Sequence, residues 1–254
     1  MRPDGALPLL SVRNGTKRFG GVLALDEMDV DVFAGEVLAI LGDNGAGKST
    51  LIKCVSGVYR LDTGVIEVDG DPTTMHSPSD ARALGIETVY QDLALFDNLG
   101  PSENFYAGRE LAGPRWLPMG MRLMRRRTMS QATQDVLDRL QVTLPDFEAP
   151  VGLMSGGQRQ AVAVARATAF ASRLVILDEP TAALGVREAA RVLDLIRRLK
   201  SEGKAVVVIS HAMDHVIEVA DRAVVMRRGR KVGELIPSES SRERIVSLIV
   251  GGEG

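Results

Sequence analysis

A chain of 254 residues, 45% hydrophobic and 25% charged, has ordinary globular composition and enough length to bury a large core. Its net charge of −2 excludes a bulk polyanion binder, and its single cysteine, Cys54, excludes an intrachain disulfide and suits a reducing compartment. No apolar run approaches the roughly 20 residues of a membrane helix, so any work at a membrane is expected to be done from the water side through a partner.

The first residues lack the layout of a signal peptide, because Ala6 to Val12 is a short apolar patch ahead of Arg13, Lys17 and Arg18. Leu9 to Arg13 and Met28 to Phe33 read as strands, with Gly20-Gly21 and Ala34-Gly35 as turns. Val37 to Leu41 is continuously apolar, the pattern of a strand buried on both faces. Directly after it, Gly42-Asp43-Asn44-Gly45-Ala46-Gly47-Lys48-Ser49-Thr50 fits G-x-x-x-x-G-K-[ST], and Lys48 to Ser56 reads as a helix start. Strand, glycine loop and helix in this order make a phosphate cradle. Glycines let backbone N–H groups turn toward an anion, and the helix N-terminus adds partial positive charge. Lys48 is expected to reach the β- and γ-phosphates of a nucleotide and the Ser49 hydroxyl to ligate Mg²⁺. Cys54, on the helix, reads as core packing.

Val65 to Asp69 is a further strand closed by Asp69-Gly70, so the front of the chain reads as a small antiparallel layer. Ser77-Pro78 opens a helix that Gly85 ends, and Ile86 to Tyr90 is a strand. From about Gln91 to Ala149 the character changes to few β-branched runs, several prolines and an arginine-rich helix around Arg122 to Leu140. This reads as a mostly helical subdomain, with Arg122, Arg125, Arg126 and Arg127 on a solvated face and Trp116 in loop packing.

β-α alternation returns at Ser155. A helix runs through Gln158 to Ala171, Leu174 to Leu177 is a buried strand, and Arg187 to Lys200 carries Val192, Ile196 and Leu199 on one stripe. Ala205 to Ile209 is again a buried strand. Strands around Val224 and Lys231 follow, then a terminal helix with Ile245, Leu248 and Ile249 inward. Such alternation predicts a parallel sheet with helices on both faces.

Chemistry collects at the strand ends. Asp178 and Glu179 emerge from Leu174 to Leu177 and point to opposite sides, so they should do different jobs. Asp178 is placed to hold Mg²⁺, and Glu179 to orient or deprotonate an attacking water. His211 follows the Ala205 to Ser210 strand and could bond a γ-phosphate oxygen and fix the water or Glu179. Gln91 offers an amide to Mg²⁺ or the water. His76 and His215 lack metal spacing and read as surface residues. Met154-Ser155-Gly156-Gly157-Gln158 makes a second anion cradle at a helix entry. One nucleotide on one sheet does not need two cradles, so the second is expected to serve a nucleotide held by another copy, in a two-fold pair.

Phosphate loop, Gln91, Ser155-Gly156-Gly157-Gln158, Asp178-Glu179 and His211, in that order, resemble the ATP-binding subunit of an ABC transporter, over about Leu9 to Gly229. The resemblance implies an α/β fold, a P-loop NTPase core with a parallel sheet, a small antiparallel β layer at the N-terminal side and an inserted helical subdomain. One ABC ATPase domain would span residues 1–254, with 1–90 and 160–254 as nucleotide-binding core and about 91–159 as helical subdomain with the signature. It implies ATP and Mg²⁺, with Gly42, Asn44, Gly45, Ala46, Gly47, Lys48, Ser49 and Thr50 around the nucleotide and Phe19, or the Val22 loop, on adenine. Ser155, Gly156, Gly157 and Gln158 would close over the nucleotide of a second copy. Gln91 would open the loop that signals to a membrane permease, and the helical insert would dock on that permease from the cytoplasmic side of the inner membrane.

Lys17 to Val22, Glu103 to Glu110 and Glu179 to Gly185 are similar to monosaccharide importers of the ribose, xylose and fructose kind. The lone unit resembles the fructose-type variant, which implies a homodimer served indirectly by a periplasmic or extracellular sugar-binding protein, and no nucleic acid. Met154 stands where the family usually has Leu, and Gly185 where many members have an Asp that bridges the subunits. The rival readings are a soluble ABC ATPase on ribosomes or DNA, and an inactive regulatory module. The first lacks its paired units, basic arms or coiled coil here, and the second is disfavoured by the acids at the strand end.

Overall fold

The computed structural model describes residues 7–113, 123–170, 173–182 and 184–251. β1 (Leu10–Phe19) and β2 (Val22–Val32) form a long hairpin turning at Gly20-Gly21, and β3 (Val37–Leu41) then enters a second sheet. Helix α1 (Lys48–Val55) leads to β4 (Thr63–Val68) and β5 (Asp71–Thr73), then α2 (Pro78–Ala83) and β6 (Ile86–Val89). The middle of the chain holds α3 (Pro101–Tyr106), the short pair β7 (Ala112–Gly113) and β8 (Leu123–Met124), and α4 (Arg126–Arg139). Last come α5 (Gly156–Phe170), β9 (Leu174–Asp178), α6 (Val186–Ser201), β10 (Ala205–Ile209), α7 (Met213–Val219), β11 (Arg222–Arg227), β12 (Arg230–Leu235) and α8 (Arg242–Val250).

The antiparallel sheet has the order β2-β1-β4-β5, and the larger sheet β12-β11-β3-β10-β9-β6. In the larger sheet β11, β3, β10, β9 and β6 are parallel and only β12 runs the other way. The central parallel strands β3, β10 and β9 are buried on both faces, so they are apolar up to the Asp178 that ends β9, and their alternation appears only in which core they enter. From β3, Leu38 and Ile40 join the core shared with α1 and the antiparallel sheet, where Leu10, Leu25, Met28, Ile52 and Cys54 also pack. Val37 faces α5 and α6, through Val162, Val164, Val192 and Ile196. Ala39 and Leu41 face α7 and α8, where Ile245 is fully buried and Leu248 and Ile249 pack against it.

The hairpin strands run further than the residue pattern predicts. The Leu9–Arg13 strand does not stop at Arg13, because Asn14-Gly15 is absorbed as a bulge. Asn14 takes a positive φ of 49°, its N–H donates to Asp29 at 2.8 Å, and the register shifts on either side of Gly15. β1 therefore continues to Phe19, whose ring meets Tyr59 in the segment after α1. Helix α5 is unbroken across residues 159 and 160, and it packs on β6 and β9 as well as on α3 and α4. Arg125, Arg126 and Arg127 are exposed around the start of α4, while Trp116 and Arg122 lie outside the described residues.

Candidate active site

Gly42 follows β3 at φ 148°, and a Cβ there would collide with the Met226 carbonyl. Gly47 sits at φ 99°, and a Cβ would lie 2.5 Å from Ala24 O. Only glycine fits at these two places, because the loop is pressed between the β2 hairpin and β11. The Gly229 N–H donates to Ala46 O and the Asp26 N–H to Gly229 O, both at 3.0 Å, so the turn between β11 and β12 stitches loop to hairpin. Helix α1 starts with no side-chain cap, which leaves its first amides directed at the loop.

Lys48 Nζ donates to Gly42 O at 2.6 Å and Asp43 O at 3.0 Å. Burial lowers its pKa, while Glu179, Asp178 and Asp43 pull the other way, so the ammonium stands among three acids. Ile209 pairs with both Ile40 and Asp178, which puts the ends of β3, β10 and β9 at one level. Burial raises the pKa of Asp178, opposed by Lys48, Lys53 and His211.

Glu179 has left the strand at φ 51°, a strained conformation for a residue with a side chain. Its N–H donates to Ile209 O at 2.9 Å. Its Oε1 is buried, accepts no hydrogen bond, and lies 3.1 Å from His211 Nε2 at an ion-pair distance. Burial raises this carboxyl as well, opposed by the nearby His211 and by a hydrogen bond from the His211 backbone N–H. A desolvated carboxylate with one oxygen free of hydrogen bonds, beside an imidazole, suits proton abstraction from a water. Gln91 follows β6 at the same sheet edge, since Val89 pairs with Leu177, and its side chain is exposed.

Phe19 and Val22 close the hairpin tip as a register pair. The Phe19 ring meets Tyr59 edge-on at 5.1 Å and carries Lys17 Nζ over it at 5.5 Å. Ser155 and Gln158 form a reciprocal cap on α5: Gln158 Oε1 accepts from Ser155 N at 2.8 Å, and Ser155 Oγ accepts from Gln158 N at 3.3 Å. The Ser155 hydroxyl keeps its own proton to donate. A Cβ on Gly157 would overlap Glu188 of α6, so glycine is required there. The cleft of about 300 Å³ beside Ser155, Gly157 and Gln158 is lined by α5, α6 and the segment from Leu140 to Thr143 after α4, with no residue of the Gly42–Thr50 loop. One chain thus assembles Lys48, Asp178, Glu179 and His211, and none of them lines the cleft beside the second cradle.

The family model described as "ABC transporter" matches residues 25–182, more than half of the chain. The chain belongs to the ABC transporter family. As an ABC chain it is 45% identical to the fructose import ATP-binding protein FrcA of Rhizobium meliloti, over 97% of this chain and 95% of that one. It is 44% identical to the xylose/arabinose import ATP-binding protein XylG of Sulfolobus acidocaldarius, over 95% and 93%. With the ribose import ATP-binding protein RbsA 1 of Rubrobacter xylanophilus it shares 43% identity over 96% of its own length but 47% of the relative's. A crystal structure of the ADP conformation of an ATP-binding cassette of an ABC transporter matches 98% of the chain with TM-score 0.81 at 25% identity.

The residues of this ABC cassette fit Mg²⁺, which keeps few protein ligands and takes the rest from phosphate and water. Among the described residues there is no cluster of three or more metal-binding side chains, but a buried acid, Asp178, faces the loop lysine. Sequence reasoning misses three positions. Gly229 is a turn glycine whose partner, Ala46, is distant in the chain. Asn104 is fully buried, accepts from Phe96 N, and donates to the Phe96, Leu99 and Gly100 carbonyls, so one amide shapes the segment after Gln91. The third corrects the surface reading of His215. It is partly buried, with Nδ1 2.9 Å from Thr181 Oγ1, where a His four residues after His211 offered the only hint. His76 is exposed, as expected.

Proposed function

We propose that this chain binds and hydrolyses ATP as the energy-supplying subunit of an importer for a monosaccharide. The observation that carries hydrolysis is the buried, hydrogen-bond-free Glu179 Oε1 beside His211 and Lys48. Gly42 to Thr50 wraps the phosphates, with amides from Asn44, Gly45, Ala46 and Gly47 and the charge of Lys48. Phe19 or Val22 supports the base. Glu179 takes a proton from the attacking water, and Lys48 and His211 offset charge on the γ-phosphate oxygens. Ser49, Asp178 and Gln91 would hold Mg²⁺, which supplies charge neutralisation between the β- and γ-phosphates.

The unit that turns over is a pair of chains, each lending Ser155, Gly156, Gly157 and Gln158 to the other's nucleotide. Separation of the two cradles within one chain supports this. So do the bare Leu153 and Val186, 82% and 89% exposed beside the Ser155 and Gly185 segments. Transport of a sugar rests on the printed names of relatives at 43–45% identity, and the single-unit reading on near-complete coverage of the fructose relative. No helix among the described residues is long and apolar enough to cross a membrane. Work through a separate permease at the cytoplasmic face is supported by the import names of the relatives. The helical part, about residues 91–159, forms the docking side. Co-purification of a membrane permease with the tagged chain, and ATPase activity that rises in that complex, tests the proposal. Capture of ribosomes or DNA in place of a permease would end it.

A further inference from the structure

We infer that His215 is a positioning residue that holds the segment after Glu179 in register with His211. The inference rests on the hydrolytic reading of Glu179 and His211. Two bridges cross between the same pair of segments. His211 Nε2 stands 3.1 Å from Glu179 Oε1, and His215 Nδ1 stands 2.9 Å from Thr181 Oγ1. The two histidines are four residues apart, with His215 on the first turn of α7, whereas Glu179 and Thr181 are two residues apart in an irregular segment. The outer bridge is half in solvent through His211, whose side chain is 51% exposed. The inner one is sheltered: Thr181 is 8% exposed, and the space that it lines with His215, Ala39, Val208 and Val216 holds about 10 Å³. That is room for one water at most, so solvent cannot readily replace the imidazole.

Glu179 needs such a hold. Its φ of 51° persists only where surrounding contacts over-determine it. The backbone supplies the Glu179 N–H to Ile209 O bond at 2.9 Å and the Ala182 N–H to Glu179 O bond at 3.1 Å. Neither ties residues 179–182 to α7, the helix that carries the chain on from His211. The Thr181 hydroxyl and the imidazole do. The hydroxyl can donate to or accept from Nδ1, so the contact survives either tautomer of the ring. His215 therefore acts through Thr181 on the angle at which Glu179 meets a water, without touching nucleotide.

The test is steady-state ATP hydrolysis by the purified full chain carrying His215→Leu, His215→Asn, Thr181→Val or the His215→Leu/Thr181→Val pair, with Glu179→Gln alongside. Misplacing a base by a fraction of an ångström lowers kcat by about tenfold or more in His215→Leu and Thr181→Val, while KM for ATP moves by less than about threefold. His215→Asn, whose amide can replace Nδ1, returns kcat to within about threefold of the parent. The pair is no slower than either single change, because both remove one bond. Thr181→Val keeps the shape of the side chain and reads the bond even if His215→Leu folds poorly. Rates within about twofold of the parent in His215→Leu and Thr181→Val, or Asn no better than Leu, overturn the inference while leaving Glu179 in place. Glu179→Gln at the parent's rate would overturn both this and the hydrolytic reading.

Discussion

Ile209 and Asp178 face each other across the β10–β9 ladder, so the residues that follow them leave the sheet at the same height. That pairing brings Glu179 and His211 together and sets the acid at the phosphate-loop end of the molecule. Glu179→Gln keeps the shape and removes the base. Turnover should fall by about 10²–10⁴ with ATP still bound, and a two-chain species should accumulate with ATP in light scattering. Hydrolysis at the parent's rate would take Glu179 out of the role of base.

Lys48 is the only side chain in the loop whose ammonium bridges two loop carbonyls, Gly42 O and Asp43 O, among the described residues. Lys48→Ala removes those bonds and the charge meant for the phosphates. Calorimetric titration should find ATP affinity lost, with at least about 100-fold weakening from charge-assisted bonds of roughly 1.5–3 kcal/mol each. Retained affinity would place the nucleotide elsewhere.

Asp178 is lifted by burial above the usual carboxylate range, which means that the ionised acid costs stability in the nucleotide-free chain. The unfolded chain gives up this proton at lower pH than the folded one. The penalty is therefore absent below the ordinary carboxylate range and grows as pH rises through the folded pKa. Asp178→Asn should raise Tm at neutral pH without nucleotide, and the gain over the parent should vanish as pH approaches about 4. The difference between two otherwise identical chains isolates this one carboxyl. A Tm gain independent of pH would assign it to packing instead.

Arg222 is 6% exposed and gives Nη1 to both Glu36 oxygens, at 2.9 and 2.7 Å, and Nε to Glu234 at 3.1 Å. Burial already pushes the Glu36 pKa up, and the Phe33 N–H and Arg222 hold it down. Arg222→Met strands that acid and should destabilise the fold by about 3–5 kcal/mol, read as a lower urea midpoint with unchanged slope. A shift within experimental error would mean that Glu36 simply takes up a proton.

Gly157 has no room for a side chain because Glu188 of α6 fills the space. Gly157→Ala should leave ATP binding by the single chain unchanged, since the Gly42 loop is intact, yet lower ATPase activity by about tenfold or more by displacing the Ser155 cap. Equal loss of binding and turnover would argue against a second chain's role.

The phosphate loop was legible because its geometry is local. Gly42 and Gly47 need their dihedrals, β3 needs its apolar run, and all lie within 14 residues of chain, Val37–Thr50. The same holds for the Ser77 and Ser155 caps and for the strand that ends in Asp178 and Glu179. β1 and β2 were legible only in part, because the strand continues past Arg13 through a bulge at Asn14-Gly15 that only cross-strand pairing specifies.

By itself the order of residues pointed to a phosphate-type loop at Gly42–Thr50, to Asp178, Glu179 and His211 at neighbouring strand ends, and to a second glycine-rich helix entry at Ser155. Folding alone decided that Thr181 meets His215 across 34 positions, that Arg222 reaches Glu36 across 186, and that Asn104 knits the segment after Gln91. The physical reason is range: a turn or a cap is specified by neighbours a few bonds away. A buried polar contact is specified by whichever distant group the packed core happens to leave within 3 Å, as at Thr181 and His215.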